Sequence, residues 1–146
     1  MKSAYRPLVF LFIAVVALVV VVGVSNWSEP KELIPWRTDF AAVQKESAQT
    51  GKPIFLDFTA VWCEPCQNMR KTVWSDKKVA AALAGYIPVQ VDVDRNPDLV
   101  KRYLYTPGNL GGGIPAFRVL DVKGEILKES VGGRPAEEFL AWLGAK

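Results

Sequence analysis

The chain has no histidine at all and only two cysteines, Cys63 and Cys66. Without histidine there is no Ser-His-Asp triad, no Cys-His nucleophile pair and no His-containing metal site. Two cysteines exclude a small fold stapled by many disulfides. A surplus of positive charge is also lacking. The formal charge is +3, but Lys2 and Arg6 precede a long apolar run, and the remaining sequence carries 16 basic against 15 acidic residues. That balance leaves no electrostatic footprint for nucleic acid, so no nucleic-acid partner is expected. With 50% hydrophobic residues the chain is not disordered, and 146 residues suffice for one domain with a real core.

What is present begins with a long hydrophobic run. Leu8 to Val24 is uninterruptedly apolar for 17 residues, with Pro7 at its entry and Trp27 past its exit. This length is at the lower limit for a bilayer span and exceeds most signal-peptide cores, and Ser25-Asn26-Trp27-Ser28 offers no clean small-residue cleavage site. The run predicts an uncleaved signal anchor over residues 1–25, with a cleaved signal peptide as the competing reading. Lys2 and Arg6 hold the N-terminus in the cytoplasm, which puts the rest of the chain on the periplasmic or extracellular side of the inner membrane. Residues 26–36, with Pro30 and Pro35, read as a linker. Residues 37–146 are then the soluble domain.

Within that domain, Thr38 to Thr50 is a weakly amphipathic helix, capped by Thr38 or Asp39 and closed by Gly51. Ile54 to Phe58 is a dense apolar run of strand length broken by Asp57. A helix follows Cys66, a fresh cap stands at Ser75-Asp76, and Ile87 to Val93 alternates as a strand. Asp98 to Tyr105 reads as a short helix, Phe117–Leu120 and Ile126–Val131 as a hairpin around Lys123-Gly124, and Ala136–Leu143 as a closing helix. The order α-β-α-β-α-β-β-α implies an α/β fold with a mixed central sheet and helices on both faces.

Cys63-Glu64-Pro65-Cys66 lies between a predicted strand and a predicted helix. A helix N-terminus stabilises a thiolate on the first cysteine, and the second lies one turn in, within reach of a small disulfide ring. Pro65 is tolerated in the first helical turn. That is the layout of a dithiol–disulfide exchanger, with an exposed attacking sulfur and a sheltered resolving one. Three other readings compete. Zinc needs four ligands and this pair supplies two. A structural disulfide across two residues constrains little chain. Buried free thiols fit poorly with the neighbouring Trp62 and Glu64-Pro65.

The stretch Asp57-Phe58-Thr59-Ala60-Val61-Trp62-Cys63-Glu64-Pro65-Cys66 resembles the active-site segment of the thioredoxin-like family, and Gly113-Ile114-Pro115 resembles its cis-proline loop. The pattern Cys66-Gln67-Asn68-Met69, followed by Val73-Trp74-Ser75-Asp76-Lys77-Lys78-Val79, is most similar to one branch of that family. This branch includes the periplasmic C-terminal domain of the transmembrane thiol–disulfide interchange protein DsbD. The resemblance covers about Trp36 to the end.

It implies a thioredoxin-like fold, with Cys63 as attacking thiolate, Cys66 as resolving thiol and Asp57 as a buried carboxylate relaying a proton to or from Cys66. Pro115 is implied to be a cis-proline facing the disulfide, and Trp62 to pack beside Cys63. Together with Glu64, Pro65 and Ile114 these form the client-binding surface. No cofactor beyond a redox-active Cys63–Cys66 disulfide is implied, and no metal. The implied partners are protein thiol or disulfide clients and a transmembrane electron donor of the DsbD type, with roles in cytochrome c maturation or disulfide repair.

The chain departs from thioredoxin at several positions. Glu64-Pro65 replaces Gly-Pro between the cysteines, Gln90 stands where a lysine pairs with the buried aspartate, and Lys71 stands where a proline kinks the helix. These changes predict a harder-to-ionise Asp57 and a straighter active-site helix. Tyr105 to Gly112 reads as an insertion forming a mobile loop beside the site; its glycines do not make a phosphate cradle. Glu64 disfavours a second negative charge nearby, which points to a thioredoxin-like potential of about −270 mV rather than −120 mV and hence to a reductase. The alternatives are a dithiol oxidase or isomerase, and a non-catalytic module that holds clients with its cysteines locked.

Overall fold

The computed structural model describes residues 6–25, 31–105 and 112–144, with the side chains of the first helix described over 9–19. That helix, α1 (Arg6–Ser25), spans 20 residues. Its large side chains from Val9 to Val19 are exposed on every face, so nothing described in the chain covers them. Among the residues whose side chains are described, no helix is long and apolar enough to cross a membrane.

Helix α2 (Phe40–Thr50) starts at Asp39, whose carboxylate accepts the Ala42 N–H at 3.0 Å. It ends at Gly51, whose left-handed φ of 75° lets its N–H reach Ser47 O at 2.9 Å. Strand β1 (Ile54–Thr59) follows, then α3 (Glu64–Thr72) and α4 (Lys77–Leu83). The predicted cap at Asp76 is present, its carboxylate taking the N–H groups of Lys78 and Val79. Strand β2 (Ile87–Asp92) leads to a single α turn, α5 (Pro97–Leu99), which widens into a π-helical turn over Val100–Leu104. The short helix expected from Asp98 to Tyr105 is therefore largely π, closed by Tyr105 N–H to Val100 O at 3.1 Å. Strands β3 (Ala116–Leu120) and β4 (Ile126–Val131) form the expected hairpin, and α6 (Ala136–Leu143) closes the domain.

The sheet order is β2-β1-β3-β4, with β1 parallel to β2 and the other pairs antiparallel. It is a mixed sheet, as the order of predicted elements implies. Because β1 is central, both its faces are covered. Phe55 meets Trp74, Phe117 and Phe139, with Trp74 and Phe139 edge-to-face at 5.1 Å. Ile54, Leu56 and Phe58 pack on the opposite face with Val43, Val89 and Leu104. Asp57 alternates with Leu56 and Phe58, so it shares the face of Phe55, on the side of α3.

Two placements depart from the sequence reading. Residues 31–36, expected as part of a linker, lie on the domain. Ile34 is 6% exposed within the core, Trp36 stands edge-on to Trp74 at 5.3 Å, and the Leu33 N–H bonds Trp74 O. Arg118, inside the apolar β3, is fully buried. It donates from Nε to Tyr103 O at 2.8 Å and from Nη1 to Phe117 O at 2.8 Å, which satisfies carbonyls at the end of the π turn and in the strand. Burial disfavours the charged form and pulls the Arg118 pKa down, with the nearby Glu129 opposing this. Of the expected insertion, residues 106–111 lie outside those described. At its edge, the Tyr105 ring packs so closely on Gly112 that a Cβ there has no room.

Candidate active site

Cys63 is the N-cap of α3, in extended conformation, and its Sγ accepts the Cys66 backbone N–H at 3.3 Å. The sulfur therefore sits on free N–H groups at the positive end of the helix, where negative charge is stabilised. Cys63 and Cys66 are joined by a disulfide with Cα atoms 5.3 Å apart. Pro65 occupies the first turn, where its missing N–H costs nothing. The helix runs through Lys71 to Thr72 without a break and then stops.

The expectation of an exposed attacking sulfur does not hold in this disulfide state. Cys63 is 4% and Cys66 2% exposed, packed with Ala60 and flanked by Val93 and Ile114. Exposure belongs to the preceding residues instead. Trp62 is 65% exposed and its indole N–H is tied to Asp94 Oδ2 at 2.8 Å, which fixes the ring on the rim beside Cys63. Glu64 and Pro65 are exposed. The Ile114–Pro115 bond is cis, Pro115 is buried, and its carbonyl accepts the Gly132 N–H at 2.8 Å.

Asp57 is 2% exposed and pairs in register with Gln90, whose side-chain amide donates to Asp57 Oδ2 at 3.4 Å. Desolvation raises its pKa from 3.8 to about 7, the Gln90 hydrogen bond only partly offsetting this. A neutral amide in place of a cation leaves the carboxyl hard to ionise, as the departure at Gln90 predicts. Beside this pair is a small cleft of about 80 Å³ lined in part by Gln67, Arg70 and Gln90.

Reading the sequence alone missed three contributors. Glu32 bonds Arg70 on α3 and accepts the Trp36 indole N–H at 2.9 Å, so the segment before the domain braces the active-site helix. Gly133 lies where a Cβ would be 3.7 Å from Pro65 and 3.8 Å from Pro115. Arg134 follows it in the β4–α6 turn. None of these carries a local signal, because their proximity to the cysteines is made by tertiary packing. Among the described residues there is no cluster of side chains able to hold a metal ion.

The thioredoxin-like family pattern matches residues 35–121. The chain belongs to the thioredoxin-like family. The thiol:disulfide interchange protein DsbD of Ralstonia nicotianae is 37% identical over 105 residues, covering 68% of this chain and 16% of that protein. DsbD of Actinobacillus pleuropneumoniae is 31% identical over 106 residues, covering 68% and 17%. The chain thus spans about one-sixth of the length of these relatives. A thioredoxin from Thermus thermophilus superposes with a TM-score of 0.64 at 26% identity, over 76% of this chain and 85% of that one. The reduced C-terminal domain of Neisseria meningitidis DsbD shares the fold, with a TM-score of 0.59 at 24% identity over 72% and 90%. In this thioredoxin-like domain a disulfide stands at the N-terminus of a helix with Ile114 of the cis Ile114–Pro115 bond packed against it, and the preceding strand carries a buried carboxyl. Such a set is competent for reversible thiol–disulfide exchange.

Proposed function

We propose that this domain is a thiol–disulfide oxidoreductase that runs as a reductase of protein disulfides. The observation that carries the reading is the Cys63 sulfur capping α3 while bonded to Cys66, one turn inside the helix. In the dithiol form the Cys63 thiolate attacks one sulfur of a client disulfide. A Cys63–client mixed disulfide forms, and the client's other sulfur leaves as a thiolate. Cys66 then loses its proton to Asp57, attacks Cys63 Sγ, and releases the second client thiol. One client disulfide is reduced to two thiols and the Cys63–Cys66 pair is oxidised. Trp62, Glu64, Pro65, Ile114 and Pro115 surround the sulfurs and form the surface on which the client lies.

The domain works outside the inner membrane, anchored by α1. Its 20 residues rise about 30 Å at 1.5 Å each, the thickness of a bilayer's hydrocarbon core, and Leu8 to Val24 carries no polar residue. In that oxidising compartment a transmembrane dithiol donor of the DsbD type returns the pair to its reduced form. Cytochrome c maturation and disulfide repair are the processes whose substrates fit this chemistry. The reading is tested by mixing the reduced full chain, in detergent, with insulin. Insulin's interchain disulfides are expected to be reduced, and a failure to reduce them contradicts it.

Glu64 tests the direction of electron flow. A carboxylate about 4 Å from a developing thiolate opposes it by roughly 1 kcal/mol in water-like surroundings. Glu64→His removes that opposition and stabilises the dithiol form, so the potential becomes less negative. At about 30 mV per 1.4 kcal/mol the expected rise is a few tens of millivolts. Glutathione titration of both proteins at one pH reads it, and an unchanged or more negative value removes Glu64 from the account.

A further inference from the structure

A groove of about 750 Å³ runs beside the disulfide, between the α3 face bearing Pro65, Asn68, Met69 and Thr72 and the turn that begins at Gly133. It is large enough for several side chains of a bound polypeptide. It is continuous with the reacting centre, because the position of Gly133 abuts both Pro65 and the cis-Pro115. Arg134 is the one charged residue among those lining it. Glu64, Glu137 and Glu138 lie near in sequence but are not part of the lining.

Arg134 is held ready. Its Nη2 donates to Ser130 Oγ and to Val131 O at 3.3 Å, and the guanidinium carbon lies 6.0 Å from the ring centres of both Phe117 and Trp142. Its Nε is buried without a partner, and Nη1 makes no hydrogen bond among the described residues. No carboxylate pairs with it among those residues, although Arg37, Arg70, Arg95 and Arg118 each have one. A fixed planar cation with no anion in an otherwise uncharged groove is complementary to a carboxylate.

We propose that Arg134 is a specificity-determining docking residue that receives an acidic side chain of the client polypeptide close to the disulfide under attack. This rests on the reductase reading and adds a substrate class to it: disulfides flanked by aspartate or glutamate. Glu64 repels such a group at the sulfurs themselves, so the favoured acid is displaced along the groove toward Arg134.

The test uses the reduced full chain in detergent and a set of peptide disulfides. In each peptide a single glutamate replaces glutamine at one of the three positions on either side of the cysteine. At one position or more, the wild-type rate is expected to exceed that of the all-glutamine peptide by about fivefold, the scale of a single partly solvated ion pair. Arg134→Gln should erase that gain. Asn68→Asp, which sets a competing carboxylate in the groove without touching the packing of Arg134, should erase it as well. Loss of the gain in Arg134→Gln, with the uncharged peptides still reduced, supports the assignment. Wild-type rates that are equal across the set, or a gain that survives in Arg134→Gln, overturn it; if Arg134→Gln does not fold, a gain that survives in Asn68→Asp overturns it instead. If wild type reduces none of the peptides, the reductase reading itself fails; reduction of all at one rate sinks only the role of Arg134.

Discussion

Cys63→Ser is expected to bring insulin reduction by the full chain down to the uncatalysed rate, and Cys66→Ala to stop it after the first half-reaction. Only a thiolate is a competent attacking group at neutral pH, and Cys63 is the sulfur that the N-terminus of α3 stabilises. A serine hydroxyl in that position stays protonated and cannot open a disulfide. Cys66, one turn inside the helix and bonded to Cys63, is placed to attack Cys63 rather than a client. Its loss therefore leaves the mixed disulfide unresolved. Non-reducing electrophoresis should show a covalent Cys66→Ala–insulin adduct and none with Cys63→Ser. An adduct on Cys66 in the Cys63→Ser protein would reverse the two roles.

The second large effect is on stability. Asp57 binds its proton up to about pH 7 in the folded domain and only up to 3.8 as an ordinary carboxyl. Between those values the native state holds one more proton than the unfolded chain, so stability falls as pH rises. The slope is about 1.4 kcal/mol per pH unit. The contribution is complete below about pH 4, is lost as pH rises through about 7, and amounts to roughly 4 kcal/mol at most over that window. Asp57→Asn has no such proton to lose. In urea unfolding of the oxidised proteins, the two should be close near pH 4, with the variant the more stable by a few kcal/mol at pH 8. At the same time the variant should exchange disulfides more slowly at neutral pH, since Cys66 has lost its proton acceptor. Parallel stability curves for the two proteins would show that Asp57 is not buried without a charge partner.

Cys63, Cys66 and Asp57 mark how far the sequence could be read. The apolar run of β1, the alternation of β2 and the strand–Cys–helix order were visible in local spacing, and the caps at Asp39 and Asp76 follow from short-range chemistry. The pairing of Asp57 with Gln90 was legible through family resemblance, and parallel register is what brings them together. Ile34 and Trp36 were not legible. Pro35 and the polar neighbours speak for a linker, and only the aromatic cluster around Trp74 explains why Ile34 is buried and Trp36 half-buried. Arg118 was likewise hidden, because its burial is compensated by carbonyls of the π turn and of its own strand, distant or invisible in the sequence. The burial of Cys63 is hidden for a different reason. An N-cap position suggests exposure, whereas the exposed rim here is made by Val61 and Trp62.

That the pair is a reversible couple poised for reduction is tested most directly by its midpoint potential. The oxidised full chain in detergent is equilibrated against a series of reduced and oxidised glutathione mixtures, and the fraction of free Cys63 and Cys66 is counted by thiol labelling. A two-electron transition with a midpoint near about −270 mV is predicted. A midpoint near about −120 mV would make the domain an oxidase. A disulfide that no glutathione mixture or stronger dithiol opens would make it a structural link, and either result would contradict the account.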